Sequence, residues 1–241
     1  MVDGPPSYPF RVDILLAGSI RAFLRDAGPI LAVNAVPSLP ALAILAATGR
    51  PSAAAPLLDL VPTLLCPILS LLAAGLTADG AYRRLHGGRF FTGAGVRRAV
   101  RRFLPLLGAS ILSWLLIMVG LAAFVVPGLM AVCALYVVLP VCVIEERGSV
   151  DSMERAAALT RGRRWTIFAL FAISTLPMLA ASAVLGDFSP RVPMSAFQAI
   201  GDEAVSLVYL AFSGVTLAVS YDALRRLHEE ADSDGDVASV A

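Results

Sequence analysis

The sequence predicts an all-α polytopic membrane bundle, with six transmembrane helices and about three short amphipathic helices at the membrane surface. Three observations carry this. The first is a run of 42 residues, Phe103 to Ile144, without Asp, Glu, Lys, Arg or His, broken near its middle by Val126-Pro127-Gly128. About 20 apolar residues cross the ~30 Å hydrocarbon layer as a helix, so this run holds two spans and a turn. The second is composition. The chain is 58% hydrophobic and 15% charged, with mean hydropathy +0.79, against about 25% charged residues in soluble domains. The third is four further uncharged runs: Ala27 to Gly49, Leu60 to Ala78, Trp165 to Gly186 and Ala204 to Tyr221. None shows the apolar–polar alternation of a barrel strand.

In chain order, residues 1–26 form an N-terminal segment with an interfacial helix, residues 27–228 the six-span domain, and residues 229–241 a disordered acidic tail carrying Asp232, Asp234 and Asp236. The first 26 residues carry Asp3, Arg11, Asp13, Arg21, Arg25 and Asp26, with no long apolar core. No cleaved secretory signal is expected, and the first span directs insertion. The double run splits at Pro127-Gly128, because proline and glycine end helices. Residues 12–26, 93–102 and 149–164 read as amphipathic helices, each leading into a span. In the first, Leu15, Leu16, Ile20, Phe23 and Leu24 are apolar, beside a basic edge of Arg21 and Arg25. In the third, Ser149, or Asp151 with Glu154, is placed to cap the helix start. Arg21-Ala22, Arg98-Ala99 and Arg155-Ala156 each precede a pair of spans, a weak hint of three repeated hairpins.

All 19 basic residues are Arg. Seventeen fall in four segments that share one side of the membrane: before span 1, between spans 2 and 3, between spans 4 and 5, and after span 6. Only Arg50 and Arg191 fall on the other. The positive-inside rule therefore places both termini in the cytoplasm. The net charge of +1 points to no polyanion partner. Cys66, Cys133 and Cys142 lie inside apolar runs, without metal-ligand spacing, and read as small buried hydrophobes.

The densest motif runs Pro140-Val-Cys-Val-Ile-Glu145-Glu146-Arg-Gly148, then Arg155-Ala156-Ala-Ala-Leu159-Thr160-Arg161-Gly162-Arg-Arg-Trp165. It joins a proline late in span 4 to a glutamate, a glycine turn, an amphipathic helix, Leu-Thr-x-Gly and an aromatic opening span 5. Here the chain resembles a bacterial family of six-span inner-membrane proteins that includes the glycerophosphoryl diester phosphodiesterase membrane domain. Pro140, Glu145, Gly148, Ala156, Leu159, Thr160, Gly162 and Trp165 match that pattern, and Arg155 lies within it. The runs Ser19 to Asp26 and Tyr221 to Arg225 are also similar to it. The resemblance implies a stand-alone membrane domain in the bacterial inner membrane. The catalytic half of those phosphodiesterases is a separate barrel using His, Glu and a metal. This chain has only His86 and His228 and no length for a barrel of ~250 residues.

Two carboxylates at the ends of spans draw attention. Glu145 ends span 4 ahead of Arg155, Arg161 and Arg164. It reads as an ion pair pinning the third interfacial helix, in preference to a cation or proton site. Asp59 opens span 2 and is the candidate intramembrane polar site; a mid-membrane charge costs ~3 kcal/mol or more, and less at the interface. Pro37, Pro40, Pro62, Pro67 and Pro177 fall within spans, where broken helices can expose binding groups. Gly120, Gly128 and Gly214 suit close helix approach. Arg83, Arg84, Arg97, Arg98, Arg101 and Arg102 are candidate contacts for anionic lipid. Phe90 and Phe91 lie among them, but nucleic acid is not the expected partner beside two spans. No phosphate loop, nucleophile elbow, kinase signature or metal-ligand pattern occurs. The chain is therefore expected to be non-enzymatic and without a cofactor: a module that organises anionic lipid or a membrane-protein partner. The alternative is a small permease, or a transporter-associated subunit, built around Asp59.

The arginine asymmetry generates one prediction. An alkaline phosphatase fusion after Ala241 is expected to be inactive, and one inserted at Ala53 active; the reverse pattern refutes the orientation.

Overall fold

A computed structural model describes residues 10–40, 42–43, 56–90, 93–185 and 196–240. The described residues form an all-helical bundle without strands. In order they are α1 (Val12–Arg25), α2 (Ala27–Ala35) running into a 3₁₀ turn (Val36–Ser38), α3 (Pro56–Leu85), α4 (Gly93–Arg101), α5 (Phe103–Ala123), α6 (Val125–Leu135), α7 (Val138–Ile144), α8 (Ser149–Leu159), α9 (Arg164–Leu185) and α10 (Ala196–Val240). Five described segments are long and apolar enough to cross a membrane: Leu64–Leu85, Phe103–Ala123, Val125–Ile144, Arg164–Val184 and Ile200–Glu230. This is a multi-pass membrane architecture. The expected first span begins as α2, and its remainder lies largely outside the described residues.

Chain breaks follow from local chemistry. Pro37 offers no N–H, and Val36 bonds back to the Val33 carbonyl, so α2 tightens into the 3₁₀ turn. The third and fourth spans separate at Phe124, whose extended backbone (φ −161°, ψ 151°) is the whole turn. The break thus falls ahead of Pro127-Gly128. Proline is tolerated in the first turn of α6, where its missing N–H has no intrahelical partner to lose. Gly128 packs instead against Gly120, where an added Cβ would lie 2.8 Å from the Gly128 Cα. The fourth span is itself broken between α6 and α7, because Pro140 has no N–H for the Tyr136 carbonyl. α3 ends in a Schellman turn: Gly88 N–H bonds to the Arg83 carbonyl at 2.9 Å, Gly87 N–H to the Arg84 carbonyl at 3.2 Å, and Gly87 takes φ +78°.

α10 continues as helical backbone to Val240. It contains no proline, and Arg225 pairs with Glu229 one turn on. At the start of α8, neither Ser149 nor Asp151 caps the helix: Gly148 is the N-cap residue and makes no side-chain bond there. Ser149 Oγ instead donates to the Pro105 carbonyl of α5 at 2.8 Å.

α10 is the axis of the bundle. α1 lies against it through Leu15, packed with Ile30, Leu170, Val215 and Val219. α8 lies on its other flank, placing Ala156 and Leu159 among Cys133, Val137, Ile167 and Tyr221. α5 and α9 bury the least of the spans and present Trp114, Val119, Leu176 and Leu179 outward. Such apolar faces suit hydrocarbon and would be a liability in water. Within the bundle, Asn34 Nδ2 donates both to the Ile30 carbonyl and to Thr77 Oγ1, each at 2.9 Å. Thr77 in turn packs on Gly214, where an added Cβ would lie 2.8 Å from its Cγ2. The small residue lets α3 and α10 close over a buried polar pair.

Gly214→Val should therefore lower the stability of the detergent-solubilised protein by about 1–3 kcal/mol, as overpacking does. Gly28→Ala, at an exposed helical position with nothing within 4 Å, should leave thermal unfolding unchanged or raise its midpoint.

Candidate functional site

Most charged residues of the described chain, Asp202 and Glu203 at the start of α10 excepted, gather at one end of the bundle, where carboxylates and guanidinium groups alternate from helix to helix. Asp26, at the α1–α2 corner, accepts from Arg84 Nε of α3 at 2.9 Å. Asp79, buried inside α3, accepts from Arg83 Nε at 2.8 Å and lies 3.6 Å from Arg98 of α4. Arg98 turns its Nε to Glu146 at 2.8 Å, and Arg102 reaches the same carboxylate at 3.3 Å. Asp222 of α10 pairs with Arg226 at 2.8 Å and lies 3.5 Å from His86 Nε2. A carboxylate taken out of water is retained only when paired and hydrogen-bonded, which accounts for this alternation.

Glu145 is the centre of the collar on the α7–α8 side. Arg147 Nε donates to it at 2.6 Å and Tyr221 Oη of α10 at 2.9 Å, while Arg155 of α8 stands at ion-pair distance, 3.6 Å. Arg161 and Arg164 do not join it. Tyr221 stacks obliquely on Tyr82 of α3, with centroids 5.7 Å apart, and Tyr82 Oη accepts from Arg225 at 3.1 Å. Glu146 takes φ +54°, unusual for a residue with a side chain. Its two arginine bonds offset the conformational cost of that turn.

The motif residues acquire separate mechanical roles. Pro140 breaks the fourth span, and Gly148 starts α8 where a Cβ would crowd the Asp151 carboxylate at 3.2 Å. Ala156 and Leu159 are the buried face of α8. Thr160 Oγ1 donates within α8 and lies 3.2 Å from the Ala134 carbonyl of α6, tying the two helices. Gly162 takes φ +81° to turn the chain into α9. Trp165 stands 83% exposed at the head of α9, edge-on to Phe168, as aromatics do at a membrane interface.

The arginine cluster divides in two. Arg83, Arg84, Arg98 and Arg102 are committed to carboxylates. Arg97 and Arg101 are exposed and have no ion-pair partner among the described residues; with Ala94, Arg98, Arg102 and Glu146 they line an open polar groove of about 530 Å³. Asp59 belongs to α3, but its side chain lies outside the described residues, so the permease alternative gains no geometry. No cluster of His, Cys, Asp or Glu suited to a metal occurs among the described residues.

Sequence reading passed over Asp79, Tyr82 and the Asn34–Thr77 pair. Asp79 was legible only as the end of an uncharged run. Tyr221 and Asp222 were noticed only as part of a pattern. Their partners lie tens of residues away, which no local spacing reveals. Comparison with family models, with curated proteins and with solved structures returned no match.

The Glu145 hub makes a quantitative prediction. Glu145→Ala should cost about 2–3 kcal/mol, since it strands part-buried donors, and Tyr221→Phe about 1 kcal/mol. The double variant should cost less than the sum. Chemical unfolding in detergent, followed by circular dichroism, measures all three.

Proposed function

We propose that this chain is a non-catalytic, multi-pass module of a bacterial inner membrane, with its basic end and both termini in the cytoplasm, that gathers anionic lipid headgroups around α4. The observation carrying this reading is the division of the arginine cluster. Four guanidiniums serve the fold, whereas Arg97 and Arg101 are left exposed and unpaired among the described residues. They stand beside Val100 and Leu104, which are 59% and 76% exposed. Cations flanking bare apolar side chains are the pattern of a helix lying in a membrane interface. α4 passes directly into lipid-facing α5, which brings that boundary to these residues.

The resemblance to the glycerophosphoryl diester phosphodiesterase membrane domain supports the same reading. A membrane-protein partner with an acidic face would exploit the same surface.

Each arginine near an anionic surface is worth about 1 kcal/mol. Arg97→Gln with Arg101→Gln should therefore reduce the enrichment of phosphatidylglycerol over phosphatidylcholine around the protein about 30-fold. Native mass spectrometry of protein released from mixed nanodiscs reads that ratio. Arg98→Gln with Arg102→Gln should instead lower the thermal midpoint. Unchanged lipid enrichment in the first variant refutes the proposal.

A further inference from the structure

A second basic feature lies away from α4. At the corner where α1, α2, α3 and α10 meet, the bundle forms a partly open cavity of about 240 Å³. Its polar wall carries four guanidiniums, Arg21, Arg25, Arg84 and Arg226, and two carboxylates, Asp26 and Asp222. Arg84 is oriented by Asp26 at 2.9 Å and Arg226 by Asp222 at 2.8 Å. Arg21 and Arg25 sit one turn apart on α1, are exposed, and have no ion-pair partner among the described residues. The remaining wall is apolar, with Ala22 and Ile30 on one side and Leu85 and Phe90 on the other.

We infer that this cavity is a binding site for a phosphate monoester, carried either by a lipid headgroup or by a small soluble ester. The inference deepens the anionic-lipid reading and rests on it only for placing the basic end at a membrane–water boundary. Charge selects the ligand. The wall carries a surplus of two positive charges over its own carboxylates, and a phosphate monoester carries about −1.5 to −2 at neutral pH. A phosphodiester supplies only one negative charge. Guanidinium forks match phosphate oxygens, and two of the four are already held in place by carboxylates. Volume sets the size. At about 240 Å³ and partly open, the cavity has room for a small phosphate ester. The apolar wall suits the carbon side of such an ester. Arg21 and Arg25 lie four apart on one face of α1, as the sequence showed, but their convergence with Arg84 and Arg226 comes from four separate elements.

The test uses the full chain in detergent, titrated with phosphatidic acid and read by native mass spectrometry. Phosphatidylglycerol is the phosphodiester comparison. The parent should bind phosphatidic acid more tightly than phosphatidylglycerol. Arg21→Gln with Arg25→Gln breaks no ion pair among the described residues and should weaken phosphatidic acid about tenfold or more for each guanidinium removed. Ala22→Leu, which fills the cavity and leaves every charge in place, should weaken it similarly. Arg97→Gln with Arg101→Gln, which weakens the surface contacts with both anionic lipids, should leave the preference for phosphatidic acid over phosphatidylglycerol unchanged. Glycerol 3-phosphate distinguishes the sources: displacement of phosphatidic acid assigns the site to the soluble ester, and retention assigns it to the lipid. Parent-like binding by Arg21→Gln/Arg25→Gln overturns the site. If the α4 variant alone then loses lipid, the surface reading stands without the cavity; if neither variant loses lipid, both readings fall.

Discussion

Desolvated carboxylates at one end of the bundle organise the molecule. Asp79 and Asp222 are almost wholly buried, and Glu145 is close to it. An isolated charge in that position would be expelled or neutralised. Each is instead held by arginines, and for Asp79 and Glu145 part of that pairing comes from a different helix. The pairing dictates where the short helices dock: α4 is drawn to α3 by Arg98, and α8 to α7 by Arg155. Removing one partner leaves the other stranded, so the collar is most costly to break one side at a time.

Beneath the collar the bundle is held by contact rather than by charge. Within lipid no hydrophobic force drives helices together, so close approach and a few hydrogen bonds must suffice. Gly120 against Gly128 closes the α5–α6 hairpin, and Gly214 against Thr77 closes α3 on α10. Asn34 adds a hydrogen bond from α2 to the same Thr77. α5 and α9 contribute least to this packing and present their apolar faces to the acyl chains.

Function concentrates where structural demand ends. The arginines that pair carboxylates are positioned by the fold, whereas those without ion-pair partners among the described residues mark surfaces with spare positive charge. Two such places emerge: an open groove along α4 and a partly open corner beside α1. The first suits a fluid headgroup layer and the second a single ester.

The amino-acid order by itself determined the helical class, five of the six expected spans and the gathering of arginine into a few segments, because hydrophobicity and local charge act over one helix at a time. It also placed the three amphipathic helices to within a few residues. Proline breaks were legible in kind but not in position: Phe124, not Pro127-Gly128, makes the turn, since proline is tolerated in a helix's first turn. Only the tertiary structure decided which arginines are structural. Arg97 and Arg98 are adjacent in one basic run, yet Arg98 meets Asp79 and Glu146 while Arg97 has no ion-pair partner among the described residues. Such pairing depends on distances between helices far apart in the chain, and it is there that Arg21, Arg25, Arg84 and Arg226 become one cavity.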